Sequence, residues 1–596
     1  MALLFFSWID YTVFSILTAL GCIIGVYFGF HYKQDSVENY LNGGKNLKWF
    51  PVSMSLVSSA FTGFSLMGYP TEVYMHGTQI SVLILSIFIC GWLNYYVFLP
   101  VFFKLQLRNV YEYLELRYNK LLKNIFSLIY IVNTLFLLPM LMYVPSLIFS
   151  QGVSLHVIAP IMILICIFYT VVGGIKAVIW ADTLQFAVTI LTLAIVITLG
   201  VILVGGFDVI FDRVQAGERW EFFNFSLDPT VRTTFWTGVV GHTFSWTSMI
   251  IISAPEVQRF LALSSMKIVK KALIIFIFVT VAAKAICFLL GVIIYAKYYD
   301  CDPKSIGEIK KLDQIVPYFI TEVTQGIYGL NGLFVAAFFG AAFRYIYFFL
   351  LFFTVIVYYS TFSTALNTVA SVLYTHFAYL FISNKRLQTS QRFVIKLITF
   401  AIGVSSIGII YLVENGGTIF ELVYYIHGII SGPNLGIFLL GLVVPFANVK
   451  GAFAGTLASM ILMGVIIINT QIYIRNGVLK YGLKPLHTFG CNLTNYSIFL
   501  ANTSSSTPQP RMDDQEEPIW LFKISFQYYC LIGTVTTVLV GVIVSLLTRE
   551  NTGEQVNPDY ISPFVHKLGN VFTKRRIKLS AEDELLKSSR ECNGTS

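Results

Sequence analysis

Apolar stretches of about twenty residues, long enough to cross a bilayer as a helix, recur along nearly the whole chain and leave few folds open. In hydrocarbon every backbone N–H and C=O must be satisfied inside the segment or in a closed barrel, so long uninterrupted apolar runs dictate helices. The 596 residues are 56% hydrophobic and only 12% charged, a balance that soluble domains do not show. Spans are expected at roughly 10–31, 51–77, 79–103, 123–150, 155–174, 178–205, 235–255, 271–297, 330–380, 393–413, 417–445, 450–474 and 527–547. The expectation is an all-α membrane protein with about thirteen transmembrane helices.

The net charge of +9 sits in short clusters between spans, which points to cytoplasmic loops and not to nucleic acid. The loops His31–Lys48, Lys104–Lys123, Arg259–Lys271, Asn384–Arg392 and the tail after Arg549 hold most of the Lys and Arg. Their alternation places the N-terminus outside and residues 551–596 in a cytoplasmic tail. Sequons at Asn224, Asn492, Asn495 and Asn502 fall in loops assigned outside and are expected to be glycosylated, whereas Asn593 in the tail is expected bare. The start, with no basic n-region or cleavage site, reads as the lead-in to a retained first span and not as a signal peptide. Cys22, Cys90 and Cys166 lie in apolar spans and read as small buried hydrophobes. Cys301 and Cys491 fall in outside loops, where a disulfide between them is open. The basic run from Lys574 to Lys578 reads as an anchor against anionic lipid.

Three stretches carry chemistry. Pro51–Gly77 is of membrane length yet holds Ser55, Ser58, Ser59, Thr62 and Ser65, with Gly63 and Gly68 weakening the helix. Oxygens freed at membrane depth line a cavity or bind an ion; small-residue helix packing is the alternative. Val171–Val188 carries a Gly-Gly turn, Lys176, then Asp182 and Gln185 inside an apolar span. A carboxylate there suggests an ion pathway, and pairing with a loop cation such as Lys176 is the plainer reading. In the third stretch Ser360, Ser363, Thr364 and Asn367 share one helix face beside Thr361. Such oxygens suit a dehydrated alkali cation, or simply bond back along their own helix. No cluster suited to catalysis appears in the cytoplasmic loops, so neither an enzyme nor a cofactor is expected. His242 and His427 read as packed histidines.

These residues resemble the sodium:solute symporter family, in the branch that carries iodide, monocarboxylates and multivitamins. The likeness runs to about residue 475 and rests on PVSMSLVSSAFTGFSLMGYPTEVYMHG, LPVFFKLQLRNVYEYLELRY, VGGIKAVIWADTLQ, EVQRF, the YYDCDP run and SGPNLGIFLLG, in that order. The resemblance implies a LeuT-type fold with inverted five-helix repeats at 51–205 and 235–445, and ligands near mid-membrane beside discontinuous helices. It implies sodium held by backbone carbonyls of Ser58 and Phe61 and hydroxyls of Ser360 and Thr361. Asp182 and Gln185 would lie on the inner exit route or help hold the ion. Substrate would sit near Ala60, Gly63, Phe64, Ser65, His242 and Trp246. Ala60 and Ser65 stand where sugar-carrying relatives have Asn and His, which favours a small organic anion or iodide. The expected activity is sodium-coupled symport at the plasma membrane; a ligand sensor or leak channel on the same fold is the alternative.

Two departures from the family pattern stand out. Ser253-Ala254 replaces an amide-bearing pair before V-Q-R. Between FFGAA and STFST, residues 344–359 (RYIYFFLLFFTVIVYY) intervene where the family has the two motifs nearly adjacent. Their composition suits translated intron or a gene-model error, with a lineage-specific insertion as the alternative. Sixteen helical residues add about 24 Å, so one overlong or broken helix without reversed topology is expected, with Ser360 and Thr361 held away from Ser58.

Overall fold

The computed structural model describes residues 47–61, 63–107, 109–149, 155–309, 312–323, 365–366, 368–374, 384–413, 419–479, 482, 484–491, 518–548 and 556–565. The expected insertion at 344–359, Ser360, Thr361, Asn492, Asn495, Asn502 and most of the tail lie outside these residues. All regular structure among the described residues is helical.

The stretch from Trp49 to His76 is a broken helix. α1 (Trp49–Ala60) and α2 (Gly63–His76) meet at an angle of 48°. The last bond of α1 runs from the Phe61 N–H to the Val57 carbonyl at 2.8 Å, and Phe61 then leaves helical geometry at φ −110°, ψ 66°. Gly63 opens the second half. After it come α3 (Leu83–Leu93), a π-turn over Asn94–Phe98, α4 (Leu99–Leu105), α5 (Glu112–Arg117) and α6 (Lys120–Phe149).

α7 (Leu155–Val204) contradicts one expectation: its fifty residues stay helical through Gly173 and Gly174, where a turn between two spans was expected. At about 1.5 Å per residue it contains two span-lengths of chain. Glycine weakens a helix by its backbone entropy and by exposing backbone to water; in hydrocarbon that competing water is absent and the intrahelical bonds hold. α8 (Phe207–Ala216) follows at a bend of 77°, turned by Gly205 and Gly206 at φ 105° and 107°.

A second helix is also interrupted. A π-turn over Thr237–Gly241 leads into α9 (His242–Ile251), and α10 (Ala254–Leu261) restarts after Ser253 in extended conformation. Pro255 stands in the first turn of α10, where its missing N–H leaves nothing unpaired. The span therefore runs past residue 255, and Arg259, assigned by charge to the following loop, is a buried helical residue. α11 (Met266–Lys297), α12 (Ile315–Val323), α13 (Asn384–Val413), α14 (Ile419–Val443), α15 (Val449–Arg475) and α16 (Tyr529–Leu547) complete the described helices.

Among the described residues five helices are long and apolar enough to cross a bilayer, or seven when each bent pair is one span. Phe88, Phe278, Leu397, Leu457 and Leu539 face outward and are exposed, as a lipid-facing rim requires. Inside, α14, α15 and α16 cross closely at glycines. A Cβ on Gly432 would come within 2.8 Å of Gly533 Cα, and one on Gly455 within 2.3 Å of the Thr537 carbonyl. Small residues of this kind are what let backbones approach where lipid offers no hydrophobic drive between helices.

The two ends are tied by polar contacts. On one side Cys301 and Cys491 form a disulfide, Asp302 accepts from Tyr74 at 2.6 Å, and buried Arg219 stacks on Tyr295. On the other, Arg117 donates to the carbonyls of Gly441, Val444 and Pro445 at 3.0–3.1 Å, capping α14. There the described tail piece docks through Lys104–Asp559 (2.6 Å) and Tyr113–Tyr560 (2.9 Å).

Candidate functional site

The break between α1 and α2 lies in the buried interior. Ser58 and Phe61 are 0% and 1% exposed, and Ala60 and Ser65 are also buried. The Ser58 carbonyl is one residue past the acceptor of the last α1 bond. Its hydroxyl has no hydrogen-bond partner among the described residues. A buried hydroxyl so placed fits a cation that presents no hydrogen of its own. Phe61 packs edge-on against Phe186 of α7, which closes one wall. Gly63 and Phe64 form the first turn of α2. The described stretch after the Ser/Thr cluster reaches α10: the Thr368 hydroxyl approaches Gln258 Oε1 at 3.5 Å. Ser360 and Thr361 themselves are not described, so their separation from Ser58 is not defined.

Asp182 is buried between α1, α7 and α10. Its Oδ2 accepts from the Ser55 hydroxyl and lies 3.2 Å from Arg259 Nη2, with both side chains 0% exposed. Arg259 Nη1 also donates to the Ser55 carbonyl at 3.2 Å, to the Ser59 hydroxyl, and to Glu256 Oε2 at 3.2 Å. One guanidinium thus binds the first half of one broken helix to the second half of the other, with a carboxylate on each flank. An ion pair at this depth is stable only when nearly every donor is engaged. Gln185 follows about one turn on in α7. Sequence reasoning missed Arg259 because its charge was counted with the adjacent loop; its place in the apolar EVQRFL turn was the available signal.

Across the core, His242 and Trp246 sit four residues apart on one face of α9, rings 5.9 Å apart and both buried. Ser65 and Tyr69 share a face of α2 in the same way. Lys284 of α11 joins the two faces: Nζ donates to the Tyr69 hydroxyl at 2.7 Å and stands 3.8 Å from the centre of the Trp246 ring. It too was missed, although a lone cation inside VTVAAKAICFLL is visible in the sequence. Nearer the C-terminal end of α2, Arg232 holds Glu72 bidentately at 2.7 and 3.0 Å. A cavity of about 420 Å³ opens beside Trp49, Trp180 and Ile268, away from every predicted site residue.

A guanidinium thus bridges the two broken helices among buried oxygens. A family model described as the sodium:solute symporter family matches residues 40–459. The chain belongs to the sodium:solute symporter family. Members are transporters, not enzymes, and sodium is their coupling ion. The chain is 30% identical to the human (Homo sapiens) sodium-coupled monocarboxylate transporter 1, over 96% of its own length and 92% of the relative's. It is 31% identical to sodium-coupled monocarboxylate transporter 2 of Mus musculus, over 94% and 87%. It is 30% identical to the Homo sapiens sodium/iodide cotransporter, over 98% and 90%. A solved Na+-coupled sialic acid symporter superposes with a TM-score of 0.70 at 21% identity, covering 91% of this chain and 98% of that one. That likeness establishes a LeuT-like fold for this symporter chain.

Proposed function

We propose that this chain imports a small organic anion of monocarboxylate type, or iodide, driven by sodium entering down its gradient through alternating access. The observation that carries this reading is the buried break after α1, where the Ser58 hydroxyl has no partner among the described residues and the backbone ladder ends. In the proposed site the carbonyls of Ser58 and Phe61, with the hydroxyls of Ser360 and Thr361, hold sodium. Asp182 and Gln185 line the inner exit, and Ala60, Gly63, Phe64, Ser65, His242 and Trp246 face the solute. Bound sodium steadies the outward-open arrangement, and reciprocal coupling then raises solute affinity.

In this reading the chain lies in the plasma membrane with its N-terminus outside and residues 551–596 inside. Asn224, half-exposed in an Asx turn with Ser226, is glycosylated together with Asn492, Asn495 and Asn502. Tracer uptake by cells expressing the chain, with sodium present or replaced by choline, tests the function. Accumulation that requires sodium is expected; uptake indifferent to choline, or current without accumulation, overturns it.

A further inference from the structure

Lys284 lies eighteen residues into the thirty-two-residue helix α11, far from either end, and is 0% exposed. An ammonium at such depth is costly unless a negative group answers it. Among the described residues none does. Of the described acids in the spans, Glu72 is held by Arg232, and Asp182 and Glu256 by Arg259. The chain from 323 to 413 contains no Asp or Glu.

What surrounds Nζ is half a binding site. Tyr69 uses one of its three N–H donors. The Trp246 ring lies 3.8 Å away and the Tyr69 ring 4.6 Å, so two π-faces flank the head group. One turn earlier on the same face of α11, buried Thr280 has a hydroxyl with no partner among the described residues. An ammonium and a hydroxyl one turn apart each offer a donor to a carboxylate oxygen.

The geometry points to Lys284 as the fixed counter-charge that selects a monovalent carboxylate anion, received between α2, α9 and α11. This rests on the proposed anion import and names the residue that sets its charge preference. A charge-assisted hydrogen bond in this setting makes binding of an anion about tenfold or more tighter than that of its uncharged isostere. Lys284 is thereby a specificity residue distinct from the oxygens proposed for sodium.

The test uses the purified full chain, with binding of butyrate and of butyramide read from the shift in thermal unfolding. The unmodified protein is expected to bind butyrate about tenfold or more tighter than butyramide. Lys284→Met should bring butyrate down to the level of the amide, and Lys284→Arg should keep most of the preference. A Lys284→Met protein that still prefers butyrate as strongly overturns the proposal. So does an unmodified protein that binds both equally, a result that stands even where the methionine variant fails to fold. Uptake in choline is measured in parallel. Sodium-independent uptake with a Lys284-dependent preference sinks the proposed coupling and leaves this inference standing; sodium-driven uptake without that dependence does the reverse.

Discussion

Asp182 shows how one side chain's role depends on its depth. The Ser55 hydroxyl and Arg259 both converge on its Oδ2, while Glu256 holds the same guanidinium from the other flank. Asp182→Asn removes the charge but keeps the shape, and Arg259 stays compensated by Glu256. Uptake is expected to fall about tenfold, near 1.4 kcal/mol, with surface protein retained by biotinylation. Arg259→Met leaves two buried carboxylates facing each other, and a broken buried pair costs about 3–5 kcal/mol. Its expected outcome is loss of surface protein, and rescue by Arg259→Lys is expected to be incomplete because the fork is gone. Asp182 was legible in the sequence because a carboxylate inside an apolar run is rare. Its partner was not, since composition reports a cation near a span but not on which side of the interface it lies.

Of the two broken helices only the first was marked as broken in the sequence; the second was read as one span over 235–255. Serines and glycines at mid-span announced the first break, and Ser253-Ala254-Pro255 sits at the second. The Gly173-Gly174 pair misled in the opposite direction, because a glycine pair breaks a helix only when something competes for the backbone. Glycines elsewhere are set by contact. Gly432→Ala forces a methyl to within 2.8 Å of Gly533 Cα, an overpacking expected to cost about 1–3 kcal/mol. Gly464 of α15 meets nothing within 4 Å, so Gly464→Ala is expected to be neutral or to stabilise by up to about 1 kcal/mol. Thermal unfolding in detergent of the two variants side by side checks this, and equal melting temperatures would refute the packing argument.

At the scale of the molecule, cross-links hold loops distant in sequence onto the two ends of the bundle. Cys301 and Cys491 are 190 residues apart, and the same loops are joined by Asp302 N–H to the His487 carbonyl at 2.9 Å. Replacing both cysteines by Ala is expected to cost about 2–4 kcal/mol, measured as earlier thermal unfolding, with sodium dependence unchanged in whatever protein survives. The stretch 344–359 supplies the second whole-molecule prediction. If it holds Ser360 and Thr361 away from Ser58, deleting Arg344–Tyr359 raises sodium-dependent uptake, and Ser360→Ala with Thr361→Ala lowers sodium affinity only in the shortened chain. Uptake that disappears on deletion would show those residues to be part of the working protein.

Membrane residence, helical class and the position of the first break were all determined by the sequence alone, because hydrocarbon allows a polar backbone only one local solution and punishes exceptions where they occur. The family was legible for the same reason, since its motifs are those exceptions in a fixed order. Only the tertiary structure decided that Arg259 is interior, that it answers Asp182 and Glu256 together, and that Lys284 stands between Tyr69 and Trp246. These are facts about which helices meet, and a buried charge acquires much of its meaning from partners far away along the chain.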